Sequence, residues 1–190
     1  ATVPTLCRCA AAAALAALLA ACGGGEEPEL TFDQKVGQMV MMGVAGTSPD
    51  DPAVREALEQ VRAGQLGGIV LYRYNVTGPA QVRALNDAFA AASPLPQAPL
   101  LIAVDQEGGL VQRMRASNGF FDTPSHEDVA AQQTPAQARE TWRAMAAMVA
   151  DAGFNFNFGP VVDLRGDPAD PQHRPVSPVI GQLERAFSDD

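Results

Sequence analysis

The chain has 190 residues, of which 47% are hydrophobic and 18% charged, and its formal net charge at pH 7 is -9. This length and composition allow one sizeable hydrophobic core but not several. Its single lysine, Lys35, and its scattered arginines argue against nucleic acid and anionic membrane surfaces as partners, because both require clustered positive charge.

The first 22 residues differ in kind from the rest. Arg8 precedes an alanine- and leucine-rich stretch, residues 10–21, which is shorter than the about 20 apolar residues of a transmembrane helix and indicates an export signal. Residues 19–22, LAAC, resemble the lipobox of bacterial lipoproteins. We therefore expect a lipid anchor on Cys22, a flexible tether over residues 23–29, and a location on the periplasmic or extracellular face of the bacterial envelope. The alternative is a cytosolic protein with an alanine-rich disordered tail.

From residue 30 onwards, apolar runs alternate with amphipathic stretches, which predicts a single domain with a parallel α/β sheet. The predicted strands are Val36 to Val44, Gly68 to Tyr72, Leu100 to Val104 and Phe154 to Val162. A helical turn within residues 32–42 is an alternative to the first strand. The predicted helices are Pro52 to Ala63, Pro79 to Ala92 and Pro135 to Ala152, with Asp51 and Thr134 as N-caps and Gly153 at a C-cap.

The segment Leu100 to Arg113, LLIAVDQEGGLVQR, is an apolar run that ends in two carboxylates and a diglycine. Ligands of parallel α/β folds bind at the carboxyl ends of strands, so Asp105 and Glu107 are candidate site residues. Gly108 and Gly109 permit a sharp turn and the close approach of a bound molecule. If Arg113 folds back towards Asp105, the pair suits the vicinal hydroxyls of a sugar. The alternative is a structural ion pair, and Glu107 is expected to brace the loop rather than react.

Histidine and acidic residues elsewhere give weaker signals. His126 and His173 lie in polar, proline-rich segments without a partner carboxylate at a metal-like spacing, and both are interpreted as surface-loop residues. Asp163, Asp167 and Asp170 lack the glycine-centred spacing of a calcium loop, so they are interpreted as a solvated acidic loop. The sequence therefore predicts no metal site.

Two further positions have competing interpretations. Asn75 follows a predicted strand and is interpreted as the cap of a turn in preference to a ligand contact. Trp142 shares a helical spacing with Met145, Met148 and Val149, which predicts a core position.

The motif DQEGGLVQR resembles the signature loop of glycoside hydrolase family 3, especially its bacterial β-N-acetylhexosaminidase branch. Four other segments agree with the family in order: KVGQMVMMG from residue 35, GQLGGIVLYRYN from 64, GFNFNFGPVVDL from 153 and SPVIGQLERAFSDD from 177. The resemblance covers about residues 30–190. It implies a TIM (β/α)8 barrel of which only the first half, about four β/α units, is present, because a whole barrel needs about 250 residues.

The resemblance also implies roles for single residues. Asp105, Arg113 and Arg185 would hold the sugar of the first subsite, and Glu107 and Asp163 would support them. The block IGQLERAF around Arg185 is two residues longer than the family's IGDRSF form, so an exposed place in a frayed tail is an equal alternative for this arginine.

Catalytic residues are not predicted within these 190 residues. The family's aspartate nucleophile and His/Asp acid/base pair are expected downstream of Asp190, because no segment of the chain resembles the loop and the strand that carry them.

The function implied is the hydrolysis of O-glycosyl bonds by double displacement, at terminal β-linked N-acetylglucosamine of peptidoglycan or chitin-type glycans. A carbohydrate is the expected partner, no cofactor is expected, and the membrane is contacted only through the lipid anchor. The alternatives are a β-glucosidase-like member of the family, a non-catalytic glycan-binding lipoprotein, and an inactive fragment.

Overall fold

The computed structural model describes residues 29–164 and 178–187. The predicted signal, Cys22 and nearly all of the predicted tether lie outside these ranges, as do Asp167, Asp170, His173 and Asp190. The chain divides into a first unit, residues 1–31, and a second unit that begins at Phe32 and contains the helices and strands given below. The boundaries of signal, tether and domain stay predictions.

Helices and strands alternate along the described chain. In order they are α1 (Phe32–Gly37), β1 (Met41–Gly43), α2 (Pro52–Arg62), β2 (Gly68–Leu71), α3 (Pro79–Ala92), β3 (Leu101–Val104), α4 (His126–Gln132), α5 (Pro135–Asp151), β4 (Phe156–Asn157) and α6 (Pro178–Gly181), with 3-10 turns at Arg73–Asn75 and Ala116–Asn118. The four strands form one sheet in the order β1-β2-β3-β4, and every neighbouring pair is parallel. This is the alternation of strands and crossover helices that the sequence predicts.

The two faces of the sheet have different surroundings. Alternate residues of β2 and β3 are buried in the main core against α2, α3 and α5; these are Ile69, Leu71, Ile102 and Val104. The intervening residues, such as Val70 and Ala103, point to the opposite face. The main core therefore lies between one face of the sheet and the helices. The other face carries Val70 and Ala103 and ends at the carboxyl ends of the strands.

The central strands and the three long helices match the predicted spans to within one or two residues. Thr134 accepts a hydrogen bond from the backbone N–H of Gln137 and caps α5 as predicted, and Gly153 takes a φ of 89° just after that helix. Asp51 is the N-cap residue of α2 as predicted, but its side chain makes no capping hydrogen bond, because its carboxylate accepts from the N–H groups of Thr47 and Ser48 in the preceding loop, at 2.7 and 3.0 Å. The Thr47 bond is the main cause, and the Ser48 bond the second, of a lowered pKa for Asp51.

The outer strands are shorter than predicted. At the N-terminal end the alternative interpretation is confirmed, since residues 32–37 are helical and β1 begins only at Met41. At the other end, β4 contains only Phe156 and Asn157, because flanking contacts to β3 are made partly by side chains. The amide of Asn155 accepts from Ile102 N–H at 2.7 Å and donates to the Leu100 carbonyl at 2.9 Å. The Asn155 N–H also donates to the Ile102 carbonyl at 3.1 Å, so backbone and side chain together connect this segment to β3.

Within residues 29–164 and 178–187, no helix is long and apolar enough to cross a bilayer. The helix α4 was not predicted, although its N-cap signal is present in the sequence. Ser125 accepts from the Asp128 N–H at 3.1 Å, and its hydroxyl donates to the Asp128 carboxylate at 2.9 Å. Because this helix is short and lies in a proline-rich segment, hydrophobic periodicity does not predict it.

Candidate functional site

The loop after β3 brings Arg113 back to Asp105, as the sequence predicts. An Nη of Arg113 lies 3.0 Å from a carboxylate oxygen of Asp105, and both side chains keep part of their surface exposed. The Nε of Arg113 is buried and has no hydrogen-bond partner within the described part of the chain. A ligand at the carboxyl edge of the sheet can therefore reach the exposed parts of this pair but not the Nε.

Gln106 holds this loop in shape. Its side chain is completely buried, and its Oε1 accepts from the N–H groups of Arg113 and Met114 at 2.8 and 3.0 Å. Its own N–H and carbonyl bond to the amide of Asn157, each at 2.9 Å. One residue thus connects the position of Arg113 to the end of β4. Sequence reasoning missed this role, because a lone glutamine in a loop carries no positional signal.

The diglycine makes the sharp turn that the sequence predicts, with φ values of 92° at Gly108 and 53° at Gly109. The close approach, however, is made by the chain itself. The N–H of Gly109 donates to the Thr123 carbonyl at 2.8 Å, and a Cβ on Gly109 would stand 2.6 Å from the Cβ of Ser125. The glycines are therefore required by the packing of residues 123–125 over the loop.

Glu107 pairs with Arg185, which is 78 residues further along the chain. The contact is bidentate, with the Arg185 Nε and Nη at 2.8 and 2.9 Å from the two carboxylate oxygens. The Glu107 side chain is only 4% exposed, and that of Arg185 is 20% exposed. Glu107 thus braces the site as predicted, and the placement of Arg185 in a frayed tail is wrong.

The two ion pairs belong to one electrostatic cluster. The hydrogen bonds that Arg185 donates to Glu107 are the largest cause of a raised pKa for Arg185. The negative charges of Glu107, Asp105 and Asp163 also raise this pKa, while partial burial lowers it. Since Asp105 acts on Arg185 as well as on Arg113, the two carboxylates and two guanidinium groups share one neighbourhood. Such a cluster offers several oriented donors and acceptors to a polyhydroxylated ligand.

An aromatic residue follows each of the two strands beside β3. Val104 pairs with Leu71 of β2 and with Asn157 of β4, so Tyr72 and Phe158 come one residue after these partners, as Asp105 comes one residue after Val104. They are 37% and 48% exposed, respectively. Two partly exposed aromatic residues therefore follow the strands at the same edge of the sheet as Asp105. No pattern in the sequence distinguishes either of them.

The prediction of a surface position for His126 is wrong. It is the first residue of α4, it is 1% exposed, and its ring lies 5.1 Å from the Trp142 ring and 4.7 Å from the Phe187 ring. Burial, the largest effect, lowers the pKa of His126; the charge of Glu107 raises it and that of Arg185 lowers it. Its burial depends on Trp142 and Phe187, which are distant in sequence.

The remaining candidates have structural positions. Asn75 is fully buried and accepts from the Tyr72 N–H at 2.8 Å, so its interpretation as a turn cap is confirmed. Trp142 packs partly buried against the core as predicted. Asp163 is exposed, lies six residues beyond the last residue of β4, and is not part of that strand. Its backbone carbonyl accepts from the Phe187 N–H at 3.0 Å, so it supports the 178–187 segment.

The catalytic groups stay a prediction. The carboxylates that the structure does place at this edge of the sheet, Asp105 and Glu107, are both paired with arginine. Each of these two carboxylates is therefore held in an ion pair.

In the described ranges, no group of three or more histidine, cysteine, aspartate or glutamate residues is arranged to hold a metal ion. The acidic and basic side chains at the edge of the sheet are instead paired with each other. The arrangement is suited to hydrogen bonding of a neutral polar ligand rather than to coordination of a cation.

The family model described as "Glycosyl hydrolase family 3 N terminal domain" matches residues 31–177 of this chain. A beta-hexosaminidase of Alkalilimnicola ehrlichii is 40% identical over 154 residues, which are 78% of this chain and 39% of that protein. A beta-hexosaminidase of Stenotrophomonas maltophilia is 39% identical over 160 residues, with 80% and 41% covered. The chain thus spans about two fifths of the length of these curated relatives.

Solved structures give the same result. The family 3 beta-N-acetylglucosaminidase of a Paenibacillus species superposes with a TM-score of 0.65 at 33% identity, covering 75% of this chain and 26% of that one. The beta-N-acetylhexosaminidase of Beutenbergia cavernae superposes with a TM-score of 0.66 at 30% identity, covering 85% and 46%.

Proposed function

The chain belongs to glycoside hydrolase family 3, and from this premise we propose that it forms the sugar-holding half of a β-N-acetylhexosaminidase-like catalytic barrel. The predicted resemblance is confirmed, and so is the predicted fold, the first four β/α units of a TIM-type barrel. Active sites of such barrels lie at the carboxyl ends of the strands. The cluster around Asp105 occupies that position.

The proposal rests on the two neighbouring ion pairs at the carboxyl edge of the sheet. Asp105 with Arg113, and Glu107 with Arg185, place acceptors and donors side by side. A sugar ring presents neighbouring hydroxyl groups that need both, and its C–H faces pack against aromatic rings such as Tyr72 and Phe158. In this proposal Asp105, Arg113 and Arg185 contact the sugar, while Glu107 and Asp163 hold Arg185 in place.

The same geometry limits the chemistry of these carboxylates. A retaining glycosidase needs a carboxylate nucleophile and an acid/base group about 5–5.5 Å apart on either side of the scissile bond. Glu107 has both oxygens bonded to Arg185, and Asp105 is bonded to Arg113. We therefore assign both carboxylates to binding and positioning, and we expect the nucleophile and acid/base of the double displacement from other residues.

Terminal β-linked N-acetylglucosamine is the proposed sugar. Its support is the names of the similar proteins, which are beta-hexosaminidases and family 3 beta-N-acetylglucosaminidases at 30–40% identity. A β-glucosidase-like specificity is the competing choice within the family, because glucose offers the same ring hydroxyls without the N-acetyl group.

The test is the affinity of the whole chain for N-acetylglucosamine and for glucose, measured by ligand-observed NMR. We expect binding of N-acetylglucosamine, a preference over glucose, and at least a tenfold loss in Asp105→Asn and Arg113→Ala, since each removes a charge-assisted hydrogen bond. The matched control is Arg143→Ala, which breaks the solvent-exposed Arg143–Glu140 pair on α5 and leaves the site untouched. Absence of sugar binding, or an equal loss in the control, would overturn the proposal.

A second candidate, glycan binding without turnover, is favoured by one observation, the engagement of both site carboxylates by arginine. The two candidates differ in the release of chromophore from a chromogenic N-acetyl-β-glucosaminide. Saccharide binding with no release supports the second candidate for the chain by itself. Release that disappears in Arg113→Ala supports hydrolysis at this site.

We also propose export and lipid anchoring through Cys22, on the support of the residue pattern at positions 8–22. The expected product begins at Cys22 with a diacylglyceryl group, which mass spectrometry of the N-terminal peptide detects. The Cys22→Ser variant should leave the membrane fraction. A wild-type chain that keeps residues 1–21 in the expressing bacterium would contradict this proposal.

A further inference from the structure

Residues 178–187 are attached to the rest of the fold by contacts at four places. Arg185 bonds to Glu107 in the β3 loop, the Glu184 carbonyl accepts from the Glu127 N–H at 3.4 Å, and the Phe187 N–H donates to the Asp163 carbonyl at 3.0 Å. The fourth contact is made by the Phe187 ring. The position of Arg185 at the site therefore depends on contacts outside the site.

The Phe187 ring packs edge-on against His126, with 4.7 Å between ring centroids and 69° between ring planes. Trp142 completes the group, with its ring centroid 5.1 Å from that of His126 and 6.3 Å from that of Phe187. His126 thus lies between Trp142 of α5 and Phe187 of the segment that carries Arg185, and the Trp142 and Phe187 rings also contact each other.

A histidine at this position is costly compared with a phenylalanine of similar shape. His126 is 1% exposed, and its Nε2 is buried without a hydrogen-bond partner among the residues described. An unsatisfied buried nitrogen destabilises the folded state, and adding a proton there places a charge in an apolar setting. A side chain that only filled space would carry neither penalty.

We propose that His126 is a positioning residue for Arg185: its neutral imidazole seats Phe187, two residues from Arg185, and protonation of the imidazole releases this segment from the sugar site. The proposal rests on the proposed function for the role of Arg185 in sugar binding. The effect of His126 on the ion pair passes through the Phe187 ring and the backbone of the 178–187 segment.

The charges around His126 act in opposite directions. On the β3 loop, Glu107 favours the protonated ring, while on the 178–187 segment Arg185 opposes it. On the same helix, the Asp128 carboxylate is hydrogen-bonded to the Ser125 hydroxyl. The α5 neighbour, Trp142, is uncharged. Burial is the largest effect and favours the neutral ring, so protonation of the imidazole is disfavoured while the segment is seated against it.

The experiment titrates the whole chain from pH 8 to pH 5 with two readouts. The first is the emission of Trp142, which is the only tryptophan of the sequence and lies against His126. The second is the affinity for N-acetylglucosamine. We expect the emission to change in a single-proton transition below about pH 6.5, and the affinity to fall over the same interval by at most about tenfold per pH unit.

Three variants separate His126 from other titrating groups. His126→Phe keeps an aromatic ring and should abolish both transitions while keeping affinity at pH 5; His126→Gln, a polar residue that does not titrate, serves if the first variant fails to fold. His173→Phe removes the only other histidine and should leave both transitions unchanged.

The outcomes distinguish this proposal from the proposed function. If the chain binds no sugar at any pH but the Trp142 transition is lost in His126→Phe, the sugar site is wrong and the coupling of His126 to its neighbours stands. If sugar binding in the wild type has the same pH profile as in His126→Phe and His126→Gln, the positioning role of His126 is overturned. Loss of the transitions in His173→Phe would also overturn it.

Discussion

Replacing Gln106 by methionine tests how the site loop is held. Methionine has a similar length and volume, but its thioether cannot replace the amide. In the native chain, the Oε1 of Gln106 accepts from the N–H groups of Arg113 and Met114, and its Nε2 donates to the Met114 carbonyl at 3.1 Å. Gln106→Met leaves these three backbone groups without their partner.

The magnitude is set by the two N–H groups. Gln106 and Met114 are fully buried, so water does not reach their bonds easily. Each buried donor left unsatisfied costs about 1–3 kcal/mol. Because the loop can relax and the two costs are not additive, we expect the free energy of unfolding to fall by about 2–4 kcal/mol.

Urea unfolding followed by circular dichroism measures this loss. Gln132→Met is the matched control, because Gln132 is exposed on α4, and its substitution should change the unfolding free energy by less than about 0.5 kcal/mol. Gln106→Glu keeps an acceptor for Arg113 and Met114 N–H while removing the donor to the Met114 carbonyl. Affinity for N-acetylglucosamine should fall in Gln106→Met along with stability, because Arg113 loses its backbone anchor.

A Gln106→Met chain that unfolds within about 0.5 kcal/mol of the wild type, at an unchanged urea m-value, would refute this account of the loop. That result would mean that the loop finds other partners for both N–H groups. Full sugar affinity in a strongly destabilised Gln106→Met would refute only the connection between loop geometry and Arg113.

Three further predictions concern the same region. Gly108→Ala should lower the melting temperature in a thermal scan and cost at least about 1–2 kcal/mol, because φ is 92° there and a Cβ would collide with the Pro124 carbonyl; a change within experimental error would show that the turn can move. Glu107→Gln should cost about 2 kcal/mol, less than the ~3–5 kcal/mol for one partner of a fully buried pair, because Arg185 is 20% exposed; hydrogen exchange should show faster opening of residues 178–187, and unchanged exchange would contradict the bracing role. For His126, whose folded pKa lies below the unfolded value of 6.5, the unfolded chain binds more protons below pH 6.5, so the unfolding free energy should decrease as pH falls from there until the folded pKa is reached. That slope is at most about 1.4 kcal/mol per pH unit and should vanish in His126→Phe. Urea unfolding at several pH values measures the slope, and a slope that persists in His126→Phe would contradict the prediction.

The prediction of secondary structure succeeded where the signal is local. Continuous apolar runs and proline or threonine at helix starts identified the central strands and the long helices. The outer strands were overestimated, because apolar residues alone do not show where backbone pairing stops. At β4, side-chain amides bond to the β3 segment: Asn155 bonds to the Ile102 N–H and the Leu100 carbonyl, and Asn157 bonds to the N–H and carbonyl of Gln106.

Short-range features of the sequence are enough to predict the local part of the site. A buried strand that ends in Asp105, a diglycine turn and an arginine eight residues later are enough to bring Arg113 back to Asp105. Spacing, strand direction and the conformational freedom of glycine act over short distances along the chain, so they are readable without a structure.

The tertiary structure alone decided which distant groups meet. Glu107 and Arg185 are 78 residues apart, and the family resemblance implied a role for each without showing that they bond to each other. His126 was assigned to the surface by its polar neighbours and is buried by Trp142 and Phe187. The burial and pairing of a residue are set by the elements that pack against it, and a one-dimensional pattern does not contain that arrangement.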